Sequence, residues 1–487
     1  MVTLFNAQPS SFAPAIRFGA ATLTYGELDE LAFGYAEMLH RHAVVGGDRV
    51  AVWTAPCVET IVALYANAKF GVTSVPVNAN IGARELRHIF DDALPKLLVV
   101  PESATLPFPF EHAPVLRTGL TRADATSLQP SYDAPLLILY TSGTTGAPKG
   151  AVLTYANAAT NLDALADAWE WTREDTVVHA LPLFHVHGLV LGLFGPLRRG
   201  GTLHFLPRFD EEALARALGG KSTMLFAVPT MYHRLIGATE KSPTVRDGLR
   251  AARMLISGSA AMPVRDHNRL YELTGRRVLE RYGLTETLIN CSVRASDPPR
   301  PGRVGRPLPG IELRLVDDAR NALDVRDDST IGEIAVRGAN VFAGYLNRDD
   351  ATASVMDDAG FFYTGDLATV DTSGSIRIVG RRATDLIKTG GYKVGAGEVE
   401  AAILEHPLVS ECAVLGIADD DLGERIVAYV VLHSEGSALT ESALVEHTTS
   451  MISAHKRPRR VHFVDALPRN AMGKVVKSEL RKHGAPR

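Results

Sequence analysis

The sequence predicts the α/β class: a large N-terminal domain of two parallel-rich sheets flanked by helices, a small β-rich, barrel-like subdomain attached to it, and a small α+β C-terminal domain on a hinge. Three features lead there. Short apolar runs alternate with helical periodicity as far as the helix after Pro229, the pattern of strand-helix-strand units. From Gly302 to Arg382 the texture changes to brief alternating strands such as IELRLV and GEIAVRG, punctuated by Gly and Pro. Beyond Asp385 helix and strand patterns mix again, and 487 residues are too many for one compact core.

Thr24 and Glu27 make a capping box ahead of Leu28, Leu31, Ala32, Tyr35 and Leu39, whose spacing marks one face of a helix. Gly46 and Gly47 turn the chain into a strand from Val50 to Trp53. A helix around Ile61 to Phe70 stops at Gly71; Thr73 to Val77 reads as strand, Ala83 to Ala93 as helix, Leu97 to Val100 as strand. Residues 101–134, with scattered Pro and weak periodicity, read as a loose connection. The alternation then resumes: helix from Thr154 to Trp169, strand from Thr176 to Ala180, a helix after Gly188, strand from Leu203 to Leu206, helix from Glu211 to Leu218, strand from Met224 to Val228. Two sheets are expected rather than one enormous one. In the C-terminal part, a helix from Glu398 to Glu405 precedes strands at Glu411 to Ile417 and Ile426 to Leu432, a helix from Glu441 to Ser453 and the basic segment HKRPRRVHFV. The division is placed at 1–383 and 384–487.

Composition narrows the function classes. Lys and Arg number 51 against 55 Asp and Glu, a formal charge of -4 that gives no footing for nucleic-acid binding. No apolar run approaches membrane-spanning length, and the N-terminus has neither a basic region nor an apolar core of the secretory kind. Cys57, Cys291 and Cys412 have neither disulfide-framework nor zinc spacing, so a reducing cytoplasm is expected.

The chemistry is concentrated first at Tyr140 to Gly150, YTSGTTGAPKG, directly after the apolar run PLLIL. A buried strand that empties into Thr, Ser, Gly and Lys suits an anion: Gly143 and Gly146 let backbone N–H groups turn inward, Thr141, Ser142, Thr144 and Thr145 add hydroxyl donors, and Lys149 adds a full charge. The alternative is a flexible Gly/Thr hairpin. The nucleotide P-loop needs Gly before its Lys and Ser or Thr after it, whereas Pro148 precedes Lys149 and Gly150 follows. No dinucleotide-type G-x-G-x-x-G opens a helix nearby.

The loop resembles the signature of the adenylate-forming (ANL) superfamily: acyl-CoA synthetases, luciferases and peptide-synthetase adenylation domains. LPLFHVHG at Leu181 to Gly188, ERYGLTE at Glu280 to Glu286, YTGD at Tyr363 to Asp366 and PRNAMGK at Pro468 to Lys474 follow in that family's order, so the resemblance spans essentially the whole chain. It implies ATP and coenzyme A as co-substrates and Mg2+ as the metal. Lys149 and the loop N–H groups would hold the β- and γ-phosphates, Thr285 the α-phosphate, and Glu286 would ligate Mg2+; the alternative for Glu286 is a charge at a helix N-terminus. Asp366 would accept both ribose hydroxyls. SGSA at Ser257 to Ala260 is similar to the adenine-side loop, with Ser259, Ala260, Glu280 and Gly283 near the base and Tyr282 stacked on it or packed as a core tyrosine. Lys474 would sit between the acyl carboxylate and the α-phosphate, its alternative being a solvated basic-tail residue.

In GRRATDLIKTGGYKV the family's ribose or phosphate arginine falls on Arg382, with Arg381 leaving the register uncertain by one, and the hinge on Ala383 and Thr384. The resemblance implies that rotation there presents Lys474 for adenylation and then the strand Lys388 to Lys393, with Gly390 and Gly391, for thioester formation, Arg457 meeting the coenzyme A phosphates. PRNAMGK also matches the pattern around lysines acetylated in bacterial relatives, which makes a lysine acetyltransferase acting on Lys474 an expected partner.

The acid is read from the residue before YGLTE, small in many relatives that take fatty or aromatic acids and Arg281 here. A guanidinium facing an acyl site is expensive to desolvate unless it meets an anion, and its fork matches a carboxylate. His187 is assigned as a second donor and His185 as a gate; the alternative pairs Arg281 with Glu280 and leaves His187 as packing. The combination is similar to malonyl-CoA synthetases, so malonate or a related small diacid is expected. Competing readings are a short- or medium-chain monocarboxylate ligase, a stand-alone adenylation module loading a carrier protein, and a non-catalytic nucleotide binder.

Overall fold

The computed structural model describes residues 3–483 apart from 129–134, 142–147, 221–222, 299, 383–384, 434–438 and 470–474. Among the described residues, strands form sheets of nine, seven, five and five members. The seven-stranded sheet runs, in spatial order, Gly344–Tyr345, Lys149–Leu153, Leu137–Thr141, Thr73–Val77, Arg49–Trp53, Leu98–Pro101, Val115–Thr118. The nine-stranded sheet runs Arg306–Pro307, Leu288–Ser292, Val278–Leu284, Met254–Ser257, Thr223–Ala227, Thr176–His179, Thr202–Phe205, Pro14–Phe18, Ala21–Thr24. Their central strands are parallel and joined by helices, the topology that the alternation implies.

Local signals operate where expected. Thr24 caps helix Tyr25–Arg41 with a complete capping box, and Leu28, Leu31, Ala32, Tyr35 and Leu39 face the core. Gly71, at φ 75°, ends helix Val58–Phe70 in the left-handed conformation that glycine enters without strain. The largest core lies between the two big sheets, where helices Tyr25–Arg41, Val58–Phe70 and Tyr155–Trp169 contribute Leu28, Ile61, Leu162 and Trp169 to one buried cluster.

Three features depart from the expectations. Residues 101–134 are not wholly loose, because Val115–Thr118 adds a parallel edge strand beside Leu98–Pro101. Pro14–Phe18, unrecognised in the sequence, pairs in parallel with Thr202–Phe205. The segment at Gly188 is a π-helix, His187–Phe194, running into α-helix Gly195–Arg199; π-helical turns gather at functional sites.

The β-rich segment forms an antiparallel sheet in the order Ala322–Leu323, Ile311–Val316, Gly332–Gly338, Phe362–Val370, Ile376–Arg381. Beyond it Leu386–Thr389 and Tyr392–Gly395 make a hairpin on a sheet with Gly423–Leu432, Val409–Asp419 and Arg460–Phe463. The boundary and hinge assigned to Ala383 and Thr384 lie outside the described residues. Arg265 Nη1 donates to the Val409 carbonyl at 2.9 Å, tying helix Val264–Thr274 to the C-terminal sheet.

Candidate active site

Leu137–Thr141 and Lys149–Leu153 lie antiparallel with Thr141 opposite Lys149. Both ends of the Gly/Thr segment therefore emerge side by side at one end of the strand pair. Ser142, Gly143, Thr144 and Thr145 themselves lie outside the described residues. His88 Nε2 donates to the Pro148 carbonyl at 2.8 Å, and the Tyr140 hydroxyl donates to Asp92 at 2.7 Å, fixing the flanks.

Strand Gly344–Tyr345 pairs with Lys149–Leu153 and brings the Tyr345 ring under Lys149, whose Nζ stands 4.4 Å from the ring centre. The Tyr345 hydroxyl donates to Glu286 Oε1 at 2.9 Å. One tyrosine thus bridges Lys149 and Glu286, the residues expected to meet phosphate and metal. Nothing periodic marks it in the sequence; long-range pairing alone places it there. Burial, reinforced by the Glu286 charge, pushes its phenol up, so it stays a donor.

Thr285 and the buried Glu286 occupy the turn between Val278–Leu284 and Leu288–Ser292. The Glu286 carbonyl accepts from Phe342 N at 2.8 Å. No helix begins there, so dipole complementation does not account for the charge. A buried carboxylate joined through Tyr345 to Lys149 fits Mg2+, which keeps water and substrate oxygens as its other ligands. Among the described residues no group of three His, Cys, Asp or Glu forms an all-protein cage. Removing the hydroxyl that orients a metal ligand weakens the metal by ~10- to 100-fold. Tyr345→Phe is therefore expected to raise the Mg2+ concentration for half-maximal activity at least tenfold while leaving the acid KM unchanged, a shift read by Mg2+ titration at saturating ATP.

Asp366 lies in strand Phe362–Val370 after Gly365, whose φ of 71° and N–H donated to Glu333 at 3.0 Å shape the bend. Its Oδ2 accepts from Tyr282 at 2.7 Å, and its Oδ1 meets Arg381 Nε at 3.0 Å. A carboxylate retains lone pairs for further donors beyond these two. Of the arginine doublet, Arg381, directly opposite Asp366 in the antiparallel pair, reaches it, whereas Arg382, one residue past the strand, turns to Asp318 at 2.9 Å and Glu333 at 3.2 Å. The nucleotide contact expected of Arg382 stays a proposal.

Tyr282 has its ring in a core cluster with Cys291, Val304 and Ile334, so the core placement is observed and the adenine contact stays a proposal. Burial, and then Asp366, raise its pKa and keep it a donor. The Glu280 carboxylate is committed to His267 at 2.9 Å, Met262 N at 3.1 Å and Gly302 N at 3.1 Å, and its place beside the base stays a proposal. Gly283 is required by packing, since a Cβ there would stand 1.7 Å from the Leu288 carbonyl oxygen. Ser259 and Ala260 are exposed just past strand Met254–Ser257, Ser259 with φ 72°.

The acyl-side residues converge on the opposite face from Glu280. Arg281 is buried, and among the described residues its Nε and Nη2 have no hydrogen-bond partner. Its pairing with Glu280 is excluded by the strand alternation that puts the two on opposite faces. His187, first residue of the π-helix, stacks on Phe226 with centroids 6.0 Å apart, and neither ring nitrogen has a partner among the described residues. His185 lies on Phe184 at 4.2 Å, its Nε2 equally unpartnered among those residues. Burial lowers His187, followed by repulsion from Arg281, His179 and His185. Burial also holds Arg281 down at about 10, still a cation at neutral pH.

Burial holds His179 at about 3 and His185 at about 4, against an ordinary 6.5. Unfolded, each takes up a proton near 6.5; folded, each resists until the lower value, so stability falls as pH drops below 6.5. Each contributes a slope of ~1.4 kcal/mol per pH unit in that window. The melting temperature is expected to fall steadily from pH 6.5 to pH 4.5, and less steeply in His185→Gln, as calorimetry would show.

On the C-terminal sheet, Lys388 and Lys393 are cross-strand partners and Gly390 and Gly391, at φ 55° and 82°, make the turn between them. What reads as one strand is therefore a hairpin. The Lys393 side chain lies outside the described residues. Tyr392 stacks on His455 at 4.2 Å, which brings the hairpin beside Arg457, whose Nη1 donates to the Ala454 carbonyl. Lys474 lies outside the described residues; its flanks Arg469 and Val475 form an antiparallel bridge, and Val476 N donates to the Pro468 carbonyl at 2.8 Å.

The AMP-binding enzyme family model matches residues 6–346, and the AMP-binding enzyme C-terminal domain model matches 398–474. A malonate-CoA ligase of Arabidopsis thaliana is 34% identical over 479 residues, 90% of this chain and 78% of that protein. A mitochondrial malonate-CoA ligase of Homo sapiens is 33% identical over 511 residues, 95% of this chain and 88% of that one. A solved malonyl-CoA ligase ternary product complex with methylmalonyl-CoA and AMP bound is 49% identical, covering 96% of this chain and 100% of that chain at a TM-score of 0.73. ATP-bound MatB from Rhodopseudomonas palustris is 36% identical, covering 99% and 97% at a TM-score of 0.89. With the family models spanning most of its length, this chain belongs to the AMP-binding enzymes of the adenylate-forming superfamily.

Proposed function

We propose that the chain is an ATP-dependent acid-thiol ligase that activates malonate, or methylmalonate, as an acyl-adenylate and transfers it to coenzyme A, giving the acyl-CoA, AMP and pyrophosphate. The observation that carries the acid is Arg281, a buried cation whose Nε and Nη2 lack partners among the described residues, beside a neutral His187 in the same condition. A guanidinium so placed is costly unless a ligand anion completes it. One carboxylate of a short diacid meets the Arg281 fork, and the other is left to attack the α-phosphorus as the bond to pyrophosphate breaks. Coenzyme A sulfur then adds to the acyl carbon, losing its proton, and AMP leaves.

Lys149 and the preceding loop neutralise the phosphates, Asp366 takes the ribose with Arg382 or its neighbour Arg381 beside it, Tyr282 stacks on the adenine, and Thr285 bonds the α-phosphate. Glu286, oriented by Tyr345, would hold Mg2+, which would supply charge neutralisation at the phosphates. Lys474 meets the charge that builds between carboxylate and α-phosphate. Lys388, Lys393, Gly390, Gly391 and Arg457 serve coenzyme A after rotation about residues 383–384. The TM-scores support that rotation: the fit is closer to the ATP-bound protein at 36% identity than to the product complex at 49%, the reverse of sequence distance. A change of domain orientation between the two reaction states gives this ordering.

Incubation with ATP, Mg2+ and malonate, without thiol, should yield malonyl-AMP and pyrophosphate, and malonate should exceed butyrate in ATP-pyrophosphate exchange. Absence of both products would end the reading. Acetylation of Lys474 would erase its charge; mass spectrometry after acetylase treatment, with activity measured in parallel, tests it. Among the described residues no helix is long and apolar enough to cross a membrane, and the three cysteines are free. We assign the cytoplasm on the free thiols, to be checked by cell fractionation, noting that animal relatives are designated mitochondrial.

A further inference from the structure

We propose that Gly258 is a positioning residue for acid selection: its bare backbone is the seat on which the Arg281 guanidinium rests. This deepens the reading above, since it takes Arg281 to be the receiver of the second carboxylate. Strand Met254–Ser257 pairs in parallel with Val278–Leu284, Ser257 opposite Glu280. The next residue along, Gly258, therefore stands beside Arg281 on the sheet face where His187 and Phe226 also meet. A Cβ added at Gly258 would lie 2.4 Å from both Cζ and Nε of Arg281 and 2.8 Å from Nη1.

The backbone of Gly258 is not in the left-handed region, so glycine is needed there for space and not for conformation. No real Cβ tolerates such distances; a methyl group must move the guanidinium or the loop. The loop has little freedom, because Ser259 already sits at φ 72°. Among the described residues no hydrogen bond holds the guanidinium at Nε or Nη2. It is the group that gives way, and a planar fork tilted off its carboxylate loses the bidentate geometry that distinguishes a diacid from a monoacid.

The test is a double-mutant cycle on the full-length enzyme: wild type, Gly258→Ala, Arg281→Ala and the double variant, each assayed by ATP-pyrophosphate exchange with malonate and with butyrate. Gly258→Ala alone should lower malonate kcat/KM at least tenfold, chiefly through KM, with the ATP KM within twofold and butyrate exchange retained or improved. On the Arg281→Ala background, the same substitution should change malonate exchange less than twofold. A full penalty persisting without the arginine, or one falling equally on butyrate and on the ATP KM, overturns the proposal and assigns Gly258 to the nucleotide loop. Should Gly258→Ala fail to fold, recovery of folding in the double variant supports the steric coupling, and failure of both overturns it. A wild type that exchanges with butyrate but never with malonate overturns the functional reading and this proposal together; malonate exchange with additive penalties overturns the proposal alone.

Discussion

Arg281→Ala is expected to lower malonate kcat/KM by roughly thirty- to several-thousand-fold, the range that follows from ~2–5 kcal/mol for truncating one partner of a buried charge pair. The loss should fall on malonate binding and leave the ATP KM nearly intact, because Arg281 lies on the sheet face opposite Glu280 and the Met262 and Gly302 backbone that Glu280 holds. A second readout separates ligand recognition from structure. An arginine that served the fold would be paired in the free protein, and its removal would destabilise by ~3–5 kcal/mol. Arg281 is instead buried with its pKa held down at about 10 by desolvation, so its charge strains the free protein. The alanine variant should melt no lower than the wild type, and malonate-dependent stabilisation in the presence of ATP should vanish. Unchanged malonate kinetics, or a large loss of thermal stability, would remove Arg281 from the acid site.

The second large effect is expected at Lys474. Removing the cation that meets charge developing between carboxylate and α-phosphate should slow adenylation by ~10^2- to 10^3-fold, the magnitude found for one preorganised electrostatic donor. Thioester formation from supplied malonyl-AMP and coenzyme A should persist within a few-fold in Lys474→Ala, because the proposed rotation would replace this residue with the hairpin of Lys388 and Lys393. The flanks of this segment are anchored. Arg469 and Val475 bridge, Arg469 pairs with Glu411, and Lys477 pairs with Asp385 at 2.7 Å and Glu400 at 2.8 Å, all on the C-terminal side of the chain. Equal losses in both half-reactions would show that Lys474 does not divide them.

Much of the fold was legible because its signals are local. The Thr24 capping box, the Gly71 helix stop and the strand entering the Gly/Thr segment each depend on residues within a turn of one another. The edge strands Pro14–Phe18 and Val115–Thr118 were missed for the complementary reason: they are short, and their pairing partners are set by distant chain. Tyr345 was missed likewise, since only its pairing with Lys149–Leu153 makes it part of the site. At Arg381 and Arg382 the motif left two neighbours equivalent; the fold gives them different protein partners, Asp366 for Arg381 and Asp318 with Glu333 for Arg382.

By itself the sequence determined the family and which motif residues the chain carries: the Gly/Thr segment with Lys149, Glu286, Asp366, Lys474, and Arg281 where many relatives that take fatty or aromatic acids have a small residue. Motif spacing is a local, covalent property, so these survive without coordinates. Only the tertiary structure decided that Arg281 is left without a carboxylate of its own while Glu280 is fully engaged, that Gly258 and His187 flank it, and that Tyr345 joins Lys149 to Glu286. Those are contacts between strands and a π-helix far apart in the chain, and whether a buried charge is paired depends on everything packed around it.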